Sequence, residues 1–377
     1  MSEYQYYEFQ AIDRPLNEAD RKALRDLSTR ARITATSFTN SYEWGDFKGD
    51  PAKLMERWFD LHLYLANWGS RRLMMRLPRR LVDQRLLDAF LGEVECAAVS
   101  VCGENLIVDI NRHEVEAEDW DDGSEWLDAL TPLRAEVLAG DLRLFYLVWL
   151  MAVEDDTFDA DDPEPMPGLG PMTEVLETFA AFFGIDSDLV QAAAERPAIA
   201  IPGGSPSADI RKILSAMTDS EKTDILARLH DGDVHVGPLL RAKVRDRMTV
   251  TAGTSPVTTR TVGELRARAD AIGLARAQAA AKQLAAQRKR QLKEAEKARR
   301  IRLDAVAQRG DSIWREVEAE IERRNSKGYD KAISLLLDLQ AVAEERGATR
   351  DFDKRLQAIR DRHARKPQFV VRLATIE

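Results

Sequence analysis

The segment 230–235 (HDGDVH) combines two histidines with two aspartates, so a metal ion is the first chemistry to consider there. Imidazole nitrogens and carboxylate oxygens are ordinary ligands of divalent metals. Gly232 and Pro238, however, are typical of a polar turn between two helices, with the glycine ending the first one. The sequence therefore predicts a turn and no metal site. It also lacks a Gly-Lys dipeptide, which excludes a P-loop, and no cofactor is expected.

A basic segment between residues 282 and 302 gives the strongest indication of a binding partner in the sequence. Only Glu294 and Glu296 oppose its basic residues, and eight of these lie within 288–302: Arg288, Lys289, Arg290, Lys293, Lys297, Arg299, Arg300 and Arg302. A helix of this kind can contact phosphates without reading the base sequence. No aromatic residue occurs between Thr251 and Ile313, so this segment cannot stack on bases. Contact with an acidic protein surface and an ordinary solvated face are the two alternatives.

A second candidate surface is aromatic. The predicted loop 39–49 carries Tyr42, Trp44 and Phe47 among polar residues and two glycines. These rings could present a stacking or peptide-binding surface. They could equally form a lid that packs on a neighbouring sheet, and the sequence leaves both interpretations open.

The composition limits the class of protein. The chain has 377 residues and a net charge of −9, with 44% hydrophobic and 32% charged residues, as in a globular protein. Its cysteines are Cys96 and Cys102, which excludes a disulfide framework and favours a reducing compartment. The longest apolar run, 144–153, is about half a membrane span, and the N-terminal MSEYQYYEFQ lacks the features of a signal peptide. We therefore expect a cytoplasmic protein without a membrane partner.

The elements that must position these residues fall into two classes. Residues 1–160 alternate between strand-like and helix-like patterns, which predicts an α+β domain with a small mixed sheet, helices and an acidic surface. Asp50-Pro51 is a good helix start. Apolar residues at 4-3-4-3 spacing then extend this predicted helix to Trp68. The stretch 155–171 is rich in acids and prolines and is interpreted as a solvated connector.

The rest of the chain is predicted to be mostly α-helical. Residues 172–250 form a small helical region, and 261–309 form a long basic helix, exposed or in a weak coiled coil. Residues 311–377 form a terminal helical hairpin or bundle, since three apolar stripes are separated by short turns. Capping boxes are predicted at Thr218 with Glu221 and at Thr261 with Glu264.

Two stretches carry a resemblance. The N-terminal YQYYEFQAIDRPL, with TSFTNSYEWGDFKGD and YLANWGSRRLMMRLP, resembles a family of uncharacterised bacterial proteins. The C-terminal WREVEAEIERRNSKGYDKAISLLLDLQAVAEERG is similar to the helical tail of that family and of some SWIM-associated bacterial proteins. The SWIM finger needs clustered Cys and His, and no cysteine follows Cys102, so its metal site is not implied. The resemblance implies a bacterial, cytoplasmic protein and brings no catalytic residue.

These observations lead to one expectation with two alternatives. We expect a non-enzymatic bacterial adaptor or scaffold that acts through helical protein–protein contacts, with a protein partner of unknown identity. The first alternative is a nucleic-acid-associated protein that uses the basic helix 282–302 to contact phosphates. The second is an enzyme without a recognisable motif, because a site assembled from scattered residues leaves no local pattern.

Overall fold

The computed structural model describes residues 3–116, 120–198, 207–233, 235–251, 259–374 and 376. It divides the chain into two compact units, Met1–Ala275 and Arg276–Glu377. The predicted fold class is confirmed: a sheet with helices occupies the N-terminal part, and the C-terminal half is mostly helical, with a long helix and a terminal helical segment. The division into segments 1–160, 172–250, 261–309 and 311–377 stays a prediction.

The sheet of the first unit has seven strands in the order β2-β3-β1-β4-β5-β7-β6. Every pairing is antiparallel, where the sequence indicates a small mixed sheet. Short connections, such as the hairpin turn between the last two strands, favour antiparallel neighbours. The strands are β1 (Gln5–Gln10), β2 (Arg32–Ile33), β3 (Ser37–Tyr42), β4 (Leu61–Ala66), β5 (Arg71–Pro78), β6 (Ala97–Cys102) and β7 (Asn105–Arg112).

Helices cover both faces of the sheet. On one face, α1 (Glu18–Leu27) and α2 (Pro51–Arg57) pack on Phe9, Phe38 and Met74. On the other face, one continuous hydrophobic core joins the sheet to a group of five helices. These are α3 (Gln84–Leu91), α4 (Trp126–Leu138), α5 (Arg143–Glu154), α6 (Glu174–Phe183) and α7 (Ser187–Ala194).

The helix predicted to run from Asp50 to Trp68 is wrong beyond Arg57. Its start is confirmed, because Asp50 caps the helix and Pro51 occupies its first turn. The following LHLYLA forms β4, which is mostly buried because both faces of the sheet are covered. A strand buried on both faces is apolar without alternation, so its spacing can also match a helical stripe.

The acidic connector 155–171 is only partly solvated, contrary to its interpretation from composition. Leu169 and Glu164 are buried within it. Glu164 accepts a hydrogen bond from the Tyr146 hydroxyl on α5 at 2.7 Å and one from the Arg260 backbone nitrogen at 2.8 Å. The segment is therefore packed against α5 and against Arg260, which lies nearly 90 residues after its end.

The helices that follow confirm both predicted capping boxes, in which the threonine hydroxyl accepts from the glutamate backbone nitrogen and the carboxylate accepts in return. They are α8 (Ser207–Ser215), α9 (Asp219–His230), α10 (Val236–Thr251) and the long α11 (Val262–Arg309). Among the described helices, none combines the length and the apolar character needed to cross a bilayer.

The second unit packs four short helices and the end of α11 around its own core. Ile313, Tyr329, Leu336 and Phe369 are among the buried residues, with Val306 contributed by α11. The short helices are α12 (Asp311–Glu322), α13 (Ser326–Glu345), α14 (Thr349–Arg362) and α15 (Pro367–Leu373).

We expect residues 311–377 to fold as an isolated fragment, with a cooperative thermal transition by circular dichroism. Trp314→Ala should lower its free energy of unfolding by about 2 kcal/mol, because the half-buried ring lies 5.7 Å from the Phe352 ring. A fragment that begins at residue 299 should melt at a higher temperature, since it adds the buried Leu303 and Val306. A gradual, non-cooperative melt of 311–377 would contradict this prediction.

Candidate functional site

The eight candidate basic contacts all lie on α11 in the second unit. Every residue from 276 to 302 is exposed. Three of the eight bond carboxylates within the chain: Arg290 bonds Glu294 at 2.9 Å, Arg300 bonds Glu345 at 3.3 Å, and Arg302 bonds Asp338 at 2.6 Å. The other five make no ion pair with the residues that the structure describes, and they are Arg288, Lys289, Lys293, Lys297 and Arg299.

Helical phasing separates two sides of this exposed segment. At about 100° per residue, four lysines fall within an arc of about 80° and form a lysine stripe, made of Lys282, Lys289, Lys293 and Lys297. Beside it, small and branched residues share one side of the helix with Arg288 and Arg299, and these residues are Ala281, Leu284, Ala285, Leu292 and Ala295. Leu284 and Leu292 are 51% and 71% exposed.

Residues 231–233 form the predicted turn after α9, and Asp233 is paired with two arginines, while Val234 lies outside the described residues. Asp233 accepts from Arg228 at 2.6 Å and from Arg80 at 3.3 Å, and its pKa is lowered, chiefly by the Arg80 guanidinium. The His235 Nε2 atom lies 3.1 Å from Asp13 Oδ2. Within the described ranges, no three His, Cys, Asp or Glu side chains form a group that could hold a metal ion.

The aromatic candidates do not form one surface. Tyr42 is the last residue of β3, so the loop is shorter than predicted. Trp44 is 76% exposed, whereas Phe47 is 8% exposed and lies over the sheet, 5.2 Å from the Tyr7 ring. Gly49 permits this position, because a Cβ atom there would come within 2.4 Å of the Phe47 ring. Phe47 thus packs on the sheet as a lid.

A pocket of about 300 Å³ lies beneath this lid, on the face of the sheet that α1 and α2 leave partly uncovered. We call it the sheet-face pocket. Its wall consists of aromatic and polar residues, without a carboxylate: Tyr7, Phe47, Gly49, Pro51, His62, Tyr64, Ser70, Arg71, Arg72, Asn111 and His113.

The antiparallel register brings the floor of the pocket together. Tyr7 on β1 is opposite Tyr64 on β4, Tyr64 is opposite Arg72 on β5, and Arg72 is opposite Asn111 on β7. Residues opposite one another in a sheet project to the same side. His62 lies two residues before Tyr64, so it shares this side as well. Four strands therefore contribute to one polar and aromatic row.

His62 is the most unusual group in the pocket wall. Its side chain is fully buried, and burial lowers its pKa to about 3, so the ring is neutral near pH 7. The Nδ1 atom lies 2.9 Å from the Glu8 carbonyl oxygen, which can only accept, so the proton is on Nδ1. Nε2 is therefore a buried acceptor, and it has no hydrogen-bond partner.

The remaining polar groups of the pocket are held in place by one another. The Tyr7 and Tyr64 hydroxyls both donate to Gln5 Oε1, at 2.7 and 3.2 Å, and burial raises the pKa of both. Gln5 in turn donates to Asp46 in the lid loop at 2.9 Å. Arg72 donates to both carboxylate oxygens of Asp109, at 2.8 and 2.6 Å, which fixes the guanidinium plane.

A serine–histidine pair at the rim bears on the enzyme alternative. Ser70 Oγ lies 3.0 Å from His113 Nδ1 and accepts from the Trp68 indole at 3.0 Å. In an acyl-transfer triad a third group orients the histidine. Among the described residues, no carboxylate bonds His113, so this pair is not a complete triad.

Sequence reasoning missed this pocket. The sequence predicts a helix through His62 and Tyr64, whereas Tyr7 and Arg72 lie on other strands. Only the pairing register of the sheet brings these residues together. Polar and aromatic residues at every second position of β1 (QYYEFQ) were the one local signal of a second, partly open sheet face. Comparison of the chain with protein-family models, curated protein sequences and solved structures gives no match.

Proposed function

We propose that this protein is a bacterial cytoplasmic adaptor that binds an acidic protein partner through the exposed segment 276–302 of α11. The observation that carries the proposal is the exposed helix itself, in which basic side chains that make no ion pair with the described residues flank exposed leucines. Its occupant would be a protein with an apolar groove rimmed by carboxylates, in the manner of a helix that docks in a groove.

Three features favour a protein partner over nucleic acid. Leu284 and Leu292 are exposed beside the lysine stripe, and phosphates would leave them uncovered. The segment also lacks aromatic residues, so base stacking would not contribute. In addition, Arg290, Arg300 and Arg302 each bond a carboxylate within the chain, and an acidic partner would offer the same group to the neighbouring basic residues.

The positive charge of this segment also disfavours a dimer in which two copies of α11 pair along it. The stretch between Lys282 and Arg302 is strongly basic in itself. A second copy in either orientation would place like charges along the shared seam, and this is unfavourable at the flanking positions of a coiled coil. An acidic partner removes that repulsion.

A synthetic peptide of about four heptads, with leucine at a and d and glutamate at e and g, is a suitable probe. We expect it to bind the full-length protein by fluorescence anisotropy, with an affinity that falls as salt is added. The double variant Lys289→Glu and Lys293→Glu should weaken binding by about tenfold, because it turns two attractions into repulsions. The helix should persist, since Glu and Lys have similar helix propensities.

The matched control reverses two exposed charges on α14, Arg350→Glu and Lys354→Glu, which changes the net charge equally. This variant should bind the peptide as wild type does. Duplex DNA should bind no more tightly than about 0.1 mM at physiological salt. Tighter binding of DNA than of the peptide, lost in the Lys289/Lys293 variant, would instead support the nucleic-acid alternative. Equal losses in the test and control variants would refute a site on α11.

A further inference from the structure

We propose that a second pocket of the first unit binds a small organic cation that carries a quaternary ammonium group, as choline does. This pocket has a volume of about 560 Å³ and lies beside the turn between β4 and β5. We call it the indole pocket, and its aromatic and charged wall residues are Trp68, Arg71, Glu114, Glu116, Trp120 and Asp121. None of them belongs to the partner surface on α11.

Two tryptophans of the wall keep much of their surface exposed. Trp68 is 48% exposed and Trp120 is 67% exposed, whereas tryptophan side chains in folded proteins are highly buried on average. Among the ring contacts of the described residues, none joins these two indoles, so neither covers the surface that the other presents to the pocket. Exposed aromatic faces attract cations through the quadrupole of the ring.

Both indoles are held in position by neighbouring groups. The Trp68 Nε1 atom donates to Ser70 Oγ at 3.0 Å. Trp120 packs on the Tyr4 ring with the ring centroids 5.1 Å apart, and the Tyr4 hydroxyl donates to the Asp122 carbonyl oxygen at 2.8 Å. Rings that are fixed in this way lose little conformational freedom when a ligand binds, so even a small ligand can reach measurable affinity.

A close backbone approach brings two carboxylates to the same pocket. Gly69 has a φ of +89°, and its carbonyl oxygen accepts from the Val115 backbone nitrogen at 3.0 Å. A Cβ atom at residue 69 would lie 2.8 Å from that nitrogen, so glycine is needed for this approach. The hydrogen bond holds Val115 against the turn, and the residues on either side of it, Glu114 and Glu116, line the pocket.

The charge of the wall favours a cation. Asp121 is paired with the buried Arg71 at 3.3 Å. Glu114 and Glu116 are exposed, and neither makes an ion pair with the residues that the structure describes, so their two negative charges are not compensated. The pKa of Tyr4 beside Trp120 is raised, first by burial and then by nearby carboxylates, which agrees with a negative potential at this place.

A quaternary ammonium suits this wall better than a metal ion does. Within the described parts of the chain, no three His, Cys, Asp or Glu side chains form a group that could hold a metal ion. A quaternary ammonium has no N–H group to donate, so it needs aromatic faces and nearby negative charge instead of converging oxygen ligands. The volume of the pocket also leaves room for the chain that is attached to the ammonium group.

Titration of the full-length protein with choline, followed by NMR of the indole N–H groups, is the direct test. The chain has seven tryptophans, and we expect choline to shift the two peaks that Trp68→Phe and Trp120→Phe remove. The dissociation constant should be about 1 mM, which is reasonable for a ligand of this size in an open pocket. The neutral isostere, in which carbon replaces the ammonium nitrogen of choline, should bind at least tenfold more weakly.

Trp120→Leu should weaken choline binding about fivefold, because it removes one aromatic face at a mostly exposed position. The double variant Glu114→Gln and Glu116→Gln should weaken choline binding to a similar extent and leave binding of the isostere unchanged. The matched control, Asp88→Asn with Glu104→Gln, removes the same charge at exposed positions outside the pocket wall. It should bind choline as wild type does.

Three results would each overturn the proposal. Choline in large excess might leave both indole peaks unshifted, which would mean that the pocket does not take this cation. Binding of the isostere as tightly as choline would make the pocket an apolar crevice without selectivity for charge. Equal losses of affinity in the Glu114/Glu116 variant and in the control would mean that only the net charge of the protein attracts choline.

Discussion

Glu164→Ala should lower the free energy of unfolding of the full-length protein by about 3–5 kcal/mol, the range expected when one partner of a buried ion pair is removed. Glu164 is fully buried, and its carboxylate accepts from Arg260 Nη2 at 3.0 Å, the Arg260 backbone nitrogen at 2.8 Å and the Tyr146 hydroxyl at 2.7 Å. Without it, a buried guanidinium keeps only carbonyl acceptors, such as that of Ala192.

Urea unfolding monitored by circular dichroism measures this effect. Glu164→Gln should be less harmful, since an amide oxygen can still accept from the tyrosine, although the charge is lost. The double variant Glu164→Leu with Arg260→Met should recover much of the loss, because two apolar side chains leave no buried charge.

Glu195→Ala is the control for this experiment. It removes the exposed ion pair between Glu195, at the end of α7, and Arg268 on α11, and it should change stability little. If Glu164→Ala is as mild as this control, Arg260 must reach solvent or another partner in the variant. The buried pair would then not stabilise the junction between the connector and α11.

The helices that the sequence predicts well are those whose ends are determined locally. Asp50, Thr218 and Thr261 each cap a helix through a hydrogen bond to a backbone nitrogen within three residues. Such contacts depend on a few adjacent residues, so they can be recognised without knowledge of the tertiary structure. The long α11 is predicted for a similar reason, since its residues are strong helix formers.

The failures share a different cause, which is dependence on distant residues. The sequence predicts a helix where β4 forms. The pairing with β1 and β5 that makes this segment a strand is not visible in its local pattern. The burial of Glu164 depends on Arg260, which is 96 residues away. An acidic, proline-rich composition indicates solvent exposure on average, and it carries no information about such a partner.

The candidate sites divide in the same way. The basic segment is continuous in sequence, so its position on a helix could be predicted, and the structure adds which of its charges are paired. The sheet-face pocket is assembled from Tyr7, Tyr64 and Arg72 on three strands. The pocket can be recognised only once the strand register is known, because a shift of one residue on any strand would move the side chain of that strand to the opposite face of the sheet.

His62→Phe should make the protein more resistant to acid than wild type is. The pKa of this buried imidazole is lowered from 6.5 to about 3, so below pH 6.5 the unfolded chain binds a proton that the folded chain does not. The stability of wild type is therefore fully present above pH 6.5, and it is lost progressively as the pH falls towards 3. At 1.36 kcal/mol per pH unit, the loss due to His62 alone is about 2 kcal/mol at pH 5.

Urea unfolding of wild type and His62→Phe at pH 7 and pH 5 isolates this contribution. Both proteins contain the same other titrating groups, so the difference between them should change by about 2 kcal/mol between the two pH values, in favour of the variant. The variant also loses the hydrogen bond between Nδ1 and the Glu8 carbonyl, and this changes its free energy of unfolding by the same amount at both pH values. Equal changes in the two proteins would mean that His62 takes up a proton in the folded state. Its Nε2 would then be reached by water in the folded protein, and the burial that lowers its pKa would be absent.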